Sequence, residues 1–308
     1  EAVITSMAET CQRSIAVVVS KKEVETVVAN FNFFSKDIEV LEIPSLGTLP
    51  YDRQSPSTHL ISQRIHAFNA ISSKKKQIIV LDDETFFSRL PPKDEIVGHS
   101  FELSLNKKYN FSRLSLTLSN LGYQKVRQVK EIGEFTIRGS LIDIFPFSSI
   151  HPIRLDFFGE RIESLRKFDP LTQRSIGSLD YVLIEPANEI RLSSELARRF
   201  QKNFRILFGD KWRESEILEQ IHNSIRPAGI ESYLPLFYER TGLINDYLHS
   251  DTLFIANFNL KDGENNLFEM INERYSFLNK LSEKPILEPN SLYASFQEIK
   301  AIASKTES

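Results

Sequence analysis

One cysteine, Cys11, stands in 308 residues. No disulfide framework can form within the chain, which fits a reducing cytosol. Long apolar runs are missing. Ile15–Val19 is among the longest, far short of the roughly 20 residues of a membrane span, and no signal peptide is visible. A cytoplasmic location without membrane contact is expected. The basic surplus of proteins that wrap nucleic acid is missing too: 38 Lys and Arg face 41 Asp and Glu, for a net charge of −3. Tryptophan occurs once and methionine twice, but phenylalanine occurs 23 times, enough to fill sizeable cores. The chain begins at Glu1 without an initiator methionine and stops in polar Lys305–Ser308, as expected of a piece of something longer.

Several chemical motifs are absent as well. There is no G-x-x-x-x-G-K-[ST] and no G-x-G-x-x-G, so no glycine-rich turn offers backbone N–H groups to a phosphate. His-Glu-x-x-His, paired cysteines and G-x-S-x-G are missing. Catalytic, cofactor-binding and metal-binding residues are therefore expected to be none. Leu81-Asp82-Asp83-Glu84, at the end of an apolar strand, has the look of a magnesium-holding Walker B strand. The simpler reading is a strand end followed by an acidic helix cap. Lys74-Lys75-Lys76 and Arg198-Arg199 read as solvated surface rather than DNA patches, and Cys11 as a small buried hydrophobe rather than a nucleophile.

What is present falls into three stretches. Residues 15–19, 38–43 and 77–81 are β-branched or apolar strands. The stripes Val24, Val27, Val28, Phe31 and Ile61, Ile65, Phe68 mark helices between them, and Glu84–Arg89 is a further helix. This alternation predicts a parallel sheet. After Pro91-Pro92 comes a short helix, Arg113–Leu121, ended by Gly122, then the strands Gly133–Pro146, Ile153–Phe158 and Ile162–Phe168. From about residue 187 helices dominate: Glu195–Phe204, Glu214–Asn223, Leu267–Leu281 and Leu292–Ala303, with one apolar strand at Thr252–Ala256.

The best-motivated site is the hairpin turning at Gly159-Glu160. In Ile153-Arg154-Leu155-Asp156-Phe157-Phe158, alternation sends Ile153, Leu155 and Phe157 to the core and Arg154, Asp156 and Phe158 to the other face. An outward aromatic beside an arginine is the composition of a protein–protein hot spot. The alternative, Phe158 merely covering the turn, stays open. Arg138 lies on a preceding strand, but Gly139 marks a bulge or close approach, so counting does not fix its face.

These residues resemble a known family. Gly133–Pro146, with Arg138-Gly139 and Asp143-Ile144-Phe145-Pro146, is similar to a strand pair of UvrB and of transcription-repair coupling factors, and Arg154–Phe158 and Glu163–Pro170 continue the match. Gly47–Asp52 with Ser55-Pro56 and Ile61–Arg64, and Pro227–Glu231 with Leu234–Phe237, resemble segments of the coupling factors. UvrB itself carries a P-loop and a long aromatic-rich hairpin. Neither is found here, so the resemblance is to the N-terminal, UvrB-like module of the coupling factors.

That resemblance implies an α/β and α+β multidomain chain. Residues 1–90 would form a degenerate, P-loop-helicase-like parallel α/β domain. Residues 91–186 would form a small antiparallel α+β domain that binds UvrA, and 187–308 a mostly helical domain. It implies UvrA docking through Arg138, Arg154 and Phe158, on a face that other domains of the same full-length protein cover until needed. No cofactor is expected in this chain. The full-length protein is expected to be an ATP- and magnesium-dependent DNA translocase that displaces stalled RNA polymerase, touching polymerase and DNA through regions outside this chain. The alternative is a DNA-binding or residual nucleotide-binding fragment of a UvrB-like helicase.

Overall fold

The computed structural model describes residues 4, 13–35, 37–72, 76–209, 215–223, 225–281 and 284–306. Cys11, Lys74, Lys75, Glu214 and residues 1–3 lie outside the described residues. The strands, in chain order, are β1 (Ile15–Val19), β2 (Glu39–Ile43), β3 (Gln77–Asp82), β4 (Phe101–Ser104), β5 (Gln124–Lys125), β6 (Glu134–Arg138), β7 (Leu141–Ile144), β8 (Ile153–Phe158), β9 (Arg161–Phe168), β10 (Ser175–Ser178), β11 (Tyr181–Ile184) and β12 (Leu253–Ala256). The chain divides into two compact units, Glu1–Asp94 with Ser194–Ser308, and Glu95–Ser193.

The larger unit is built on a parallel sheet of order β12-β1-β3-β2. Its central strands, β1 and β3, are buried along their whole length, which is why they read as unbroken apolar runs. The edge strands are only part-buried, and β2 keeps Glu39 exposed. Helix Val24–Phe34 buries Val24, Val27 and Phe31. Helix Thr58–Ile71, capped by the Ser57 side chain on the Leu60 N–H, buries Ile61, Ile65 and Phe68.

Here the structure differs from the three-domain division. Residues 187–308 do not supply a separate helical body. Their strand β12 pairs with β1, Ile15 opposite Leu253, and completes the first sheet. A pairing across that much sequence leaves no local signal. The final helix also differs: Leu292–Ala303 is two helices, Pro289–Leu292 and Phe296–Thr306. Between them Tyr293 bridges Ser88, and the Ala294 N–H donates to the Phe87 carbonyl at 2.8 Å.

Two sequence segments singled out above dock on each other in this unit. Gly229 has φ +74, and its N–H donates to Ser55 Oγ at 3.1 Å. The Tyr51 N–H donates to Ser232 Oγ at 3.1 Å, and Arg274 Nε donates to the Pro50 carbonyl at 2.6 Å. A Cβ on Gly229 would stand 2.3 Å from the Asp52 carbonyl oxygen. Gly229→Ala therefore combines a backbone clash with a left-handed conformation that alanine disfavours. It is expected to cost about 2 kcal/mol or more of stability. A lower denaturation midpoint by circular dichroism is the predicted result; an unchanged midpoint would show that this junction does not hold the unit together.

The smaller unit is a six-stranded sheet, β10-β9-β8-β7-β6-β5, antiparallel except at β5–β6, with a separate β4–β11 pair. Its core joins Phe135, Ile142, Ile144, Ile153, Leu155, Phe157, Ile162 and Leu165 from the inner sheet face to Leu114 and Leu118 of helix Phe111–Asn120. Gly122, at φ +91, stops that helix, as its sequence position predicts.

Candidate functional site

The C-terminal end of the parallel sheet is where open α/β folds hold ligands. Asp82 is buried there, and its Oδ1 accepts the Thr85 N–H at 2.8 Å, capping helix Asp83–Phe87. Glu84 pairs with Lys21 at 3.0 Å, and burial holds the Glu84 carboxyl above its ordinary range. The Leu81–Glu84 signal is thus engaged as a helix cap and an ion pair. Among the described residues no group of His, Cys, Asp or Glu is placed to hold a metal ion.

The outer face of the antiparallel sheet is different. Burial along β8 alternates: Ile153, Leu155 and Phe157 are buried, Arg154 and Asp156 part-buried, and Phe158 is 75% exposed. The register sets the outer side chains in rows. One row is Thr136, Asp143, Arg154 and Arg166; the next is Arg138, Leu141, Asp156 and Ser164. Residues opposed in such pairs project from the same face. Arg138 therefore joins Arg154 and Phe158 on this face.

Gly139 is not a bulge. With φ +60 it starts the two-residue turn Gly139-Ser140 between the paired Arg138 and Leu141. A bulge lies instead between β8 and β9, where Asp156 opposes Ser164 but Phe157 opposes Ile162, leaving Glu163 as the extra residue.

A buried carboxylate organises the first row, and sequence reading did not single it out. Asp143 has no exposed side-chain surface. Its Oδ1 accepts Arg154 Nε at 2.7 Å, and its Oδ2 accepts Arg154 Nη2 at 2.9 Å and Arg138 Nη2 at 2.6 Å. The Arg154 guanidinium also lies 4.6 Å from the Phe168 ring centroid. The Asp143 hydrogen bonds hold the Arg154 pKa above its ordinary value. Strand alternation through Leu141-Ile142-Asp143-Ile144 would have placed Asp143 opposite Arg154 had the β7–β8 register been known. The two arginines therefore differ. Arg154 is 17% exposed, with its Nε edge spent on Asp143, whereas Arg138 keeps 48% of its side chain in solvent.

The Phe158 end of the hairpin is braced by a neighbouring segment. Asn106 N–H donates to the Ile162 carbonyl at 2.8 Å, Ile162 N–H to the Lys107 carbonyl at 3.1 Å, and Tyr109 N–H to the Glu160 carbonyl at 2.7 Å. Phe158 is thus an exposed apolar side chain on a fixed backbone. Ordering cost at binding is correspondingly small.

Residues 101–190, nearly the whole smaller unit, match the family model of the UvrB interaction domain. The smaller unit is a UvrB interaction domain. Most of the chain has homologues among transcription-repair-coupling factors. It is 32% identical over 262 residues to that of Haemophilus influenzae, covering 85% of this chain and 23% of the relative. It is 29% identical over 264 residues to that of Escherichia coli, again 85% and 23%. With the Bacillus subtilis factor it shares 28% identity over 298 residues, 91% of this chain and 25% of the relative. The chain spans about a quarter of the length of these relatives. The UvrB interaction domain carries the Arg138, Arg154, Asp143 and Phe158 face just described. No described helix is long and apolar enough to cross a membrane.

Proposed function

We propose that this chain recruits UvrA in transcription-coupled nucleotide excision repair, as a non-catalytic docking platform. The observation that carries the reading is the outer face of the UvrB interaction domain. There an aromatic side chain, 75% exposed, stands on a braced hairpin, on the same face as an arginine with half of its side chain in solvent. Phe158 supplies the apolar anchor. Arg138 supplies a donor fork for a carboxylate on UvrA. Arg154, held by Asp143, sets the shape and charge of the face more than it reaches out.

The likeness to coupling factors along most of the chain supports placing this platform within a longer protein. We propose for that whole protein an ATP- and magnesium-dependent DNA translocase that acts on stalled RNA polymerase in the cytoplasm, with polymerase and DNA contacts outside this chain. The larger unit here would serve without a cofactor. Its Asp82 and Glu84 carboxylates are occupied by a helix N-terminus and Lys21.

The test is direct. Purified chain and UvrA, mixed and run on a gel-filtration column, should co-elute as a complex larger than either alone. Separate elution at micromolar concentrations would contradict recruitment.

A further inference from the structure

The face around Phe158 extends past the two arginines that the resemblance singled out. Across the hairpin, Phe158 pairs with Arg161, and Arg161 forms an isolated antiparallel bridge with Lys108. The three residues make one row on the outer side, next to the row holding Arg138 and Asp156. Arg161 and Lys108 are both exposed. The Arg161 guanidinium donates to a neutral acceptor, Asn106 Oδ1, at 3.2 Å. Among the described residues neither cation is paired with a carboxylate.

Charge compensation separates this row from its neighbour. Arg138 and Arg154 share the buried Asp143. Arg161 and Lys108 share no carboxylate among the described residues. Two cations without a carboxylate partner among the described residues therefore follow the exposed phenyl ring along one row, in a chain whose net charge is −3. The backbone under them is fixed by the hydrogen bonds between residues 106–109 and 160–162, so both side chains spring from set backbone positions rather than from a loose loop.

We propose that Lys108 and Arg161 form a second recognition row, selecting a protein surface that is acidic around an apolar recess for Phe158. This rests on the UvrA-docking reading, and it assigns the two rows different tasks. Phe158 is desolvated on binding and governs dissociation, whereas exposed rim charges chiefly govern encounter rate and its salt dependence.

The experiment is stopped-flow association of UvrA with the 308-residue chain over a range of salt concentrations. It compares wild type, Lys108→Glu/Arg161→Glu, Lys108→Gln/Arg161→Gln and Phe158→Ala, each checked for native circular dichroism. Charge reversal is expected to slow association about tenfold at low salt and to flatten or invert its salt dependence, with dissociation little changed. The neutral pair should fall between reversal and wild type, and it decides the matter if reversal disturbs folding. Phe158→Ala should instead speed dissociation. A charge-altered chain that associates at the wild-type rate with the wild-type salt dependence overturns the second row and leaves the docking reading intact. A wild-type chain that does not bind UvrA removes both.

Discussion

Phe158→Ala is expected to weaken UvrA binding by about 2 kcal/mol or more, roughly thirtyfold in dissociation constant. Its effect on folding should be slight, within about 0.5 kcal/mol, because surface substitutions away from caps and networks rarely do more. The side chain is 75% exposed, and the hairpin beneath it is held by backbone hydrogen bonds that alanine keeps. Phe157, one residue earlier, reverses the pattern. It is buried against the core and meets Phe111 edge-on, with ring centroids 5.2 Å apart. Phe157→Ala should cost about 3 kcal/mol or more of stability. The neighbouring pair thus separates binding from folding by the parity of a single strand. Calorimetric titration gives the first quantity and thermal denaturation the second.

Asp143→Ala should produce the largest loss of stability of any outer-face substitution. It removes a carboxylate that accepts three guanidinium N–H groups, and leaves Arg154, only 17% exposed, without its carboxylate partner. Breaking a buried ion pair from one side costs about 3–5 kcal/mol, because the remaining charge is stranded. The partly exposed Arg138 contributes little to that figure, since solvent screens it. The double variant Asp143→Ala/Arg154→Ala should be less destabilised than the sum of its two single variants, since no stranded charge remains. Thermal unfolding of all three checks this. Additive losses would mean that Asp143 and Arg154 are not coupled.

Local patterns carried much of the fold. The buried strands β1 and β3, the stripes of helices Val24–Phe34 and Thr58–Ile71, and the alternation of β8 are each set by a few neighbouring residues, and the structure follows them. What sequence reading lost was long-range. Leu253–Ala256 is visible as an apolar strand, but its place beside β1 depends on a partner far away along the chain. That pairing, with the contacts of Tyr51, Ser55 and Phe87 to the C-terminal stretch, joins two expected domains in a single unit. The site shows the same division. Phe158 and Arg154 were placed outward by alternation alone. Arg138 waited on the Gly139-Ser140 turn, and Asp143 on the β7–β8 register. Arg161 and Lys108 come together through the pairing of their two segments, which are far apart along the chain.

The most direct measurement is isothermal calorimetry of UvrA with the wild-type chain and with Arg138→Ala/Phe158→Ala, the double variant first shown to melt like wild type. Specific binding by the wild type, lost or weakened at least a hundredfold in the variant, is the predicted result, given about 2 kcal/mol for the aromatic anchor and a further 1 kcal/mol or so for the arginine. Equal affinities for the two chains would contradict the assignment of UvrA docking to this face.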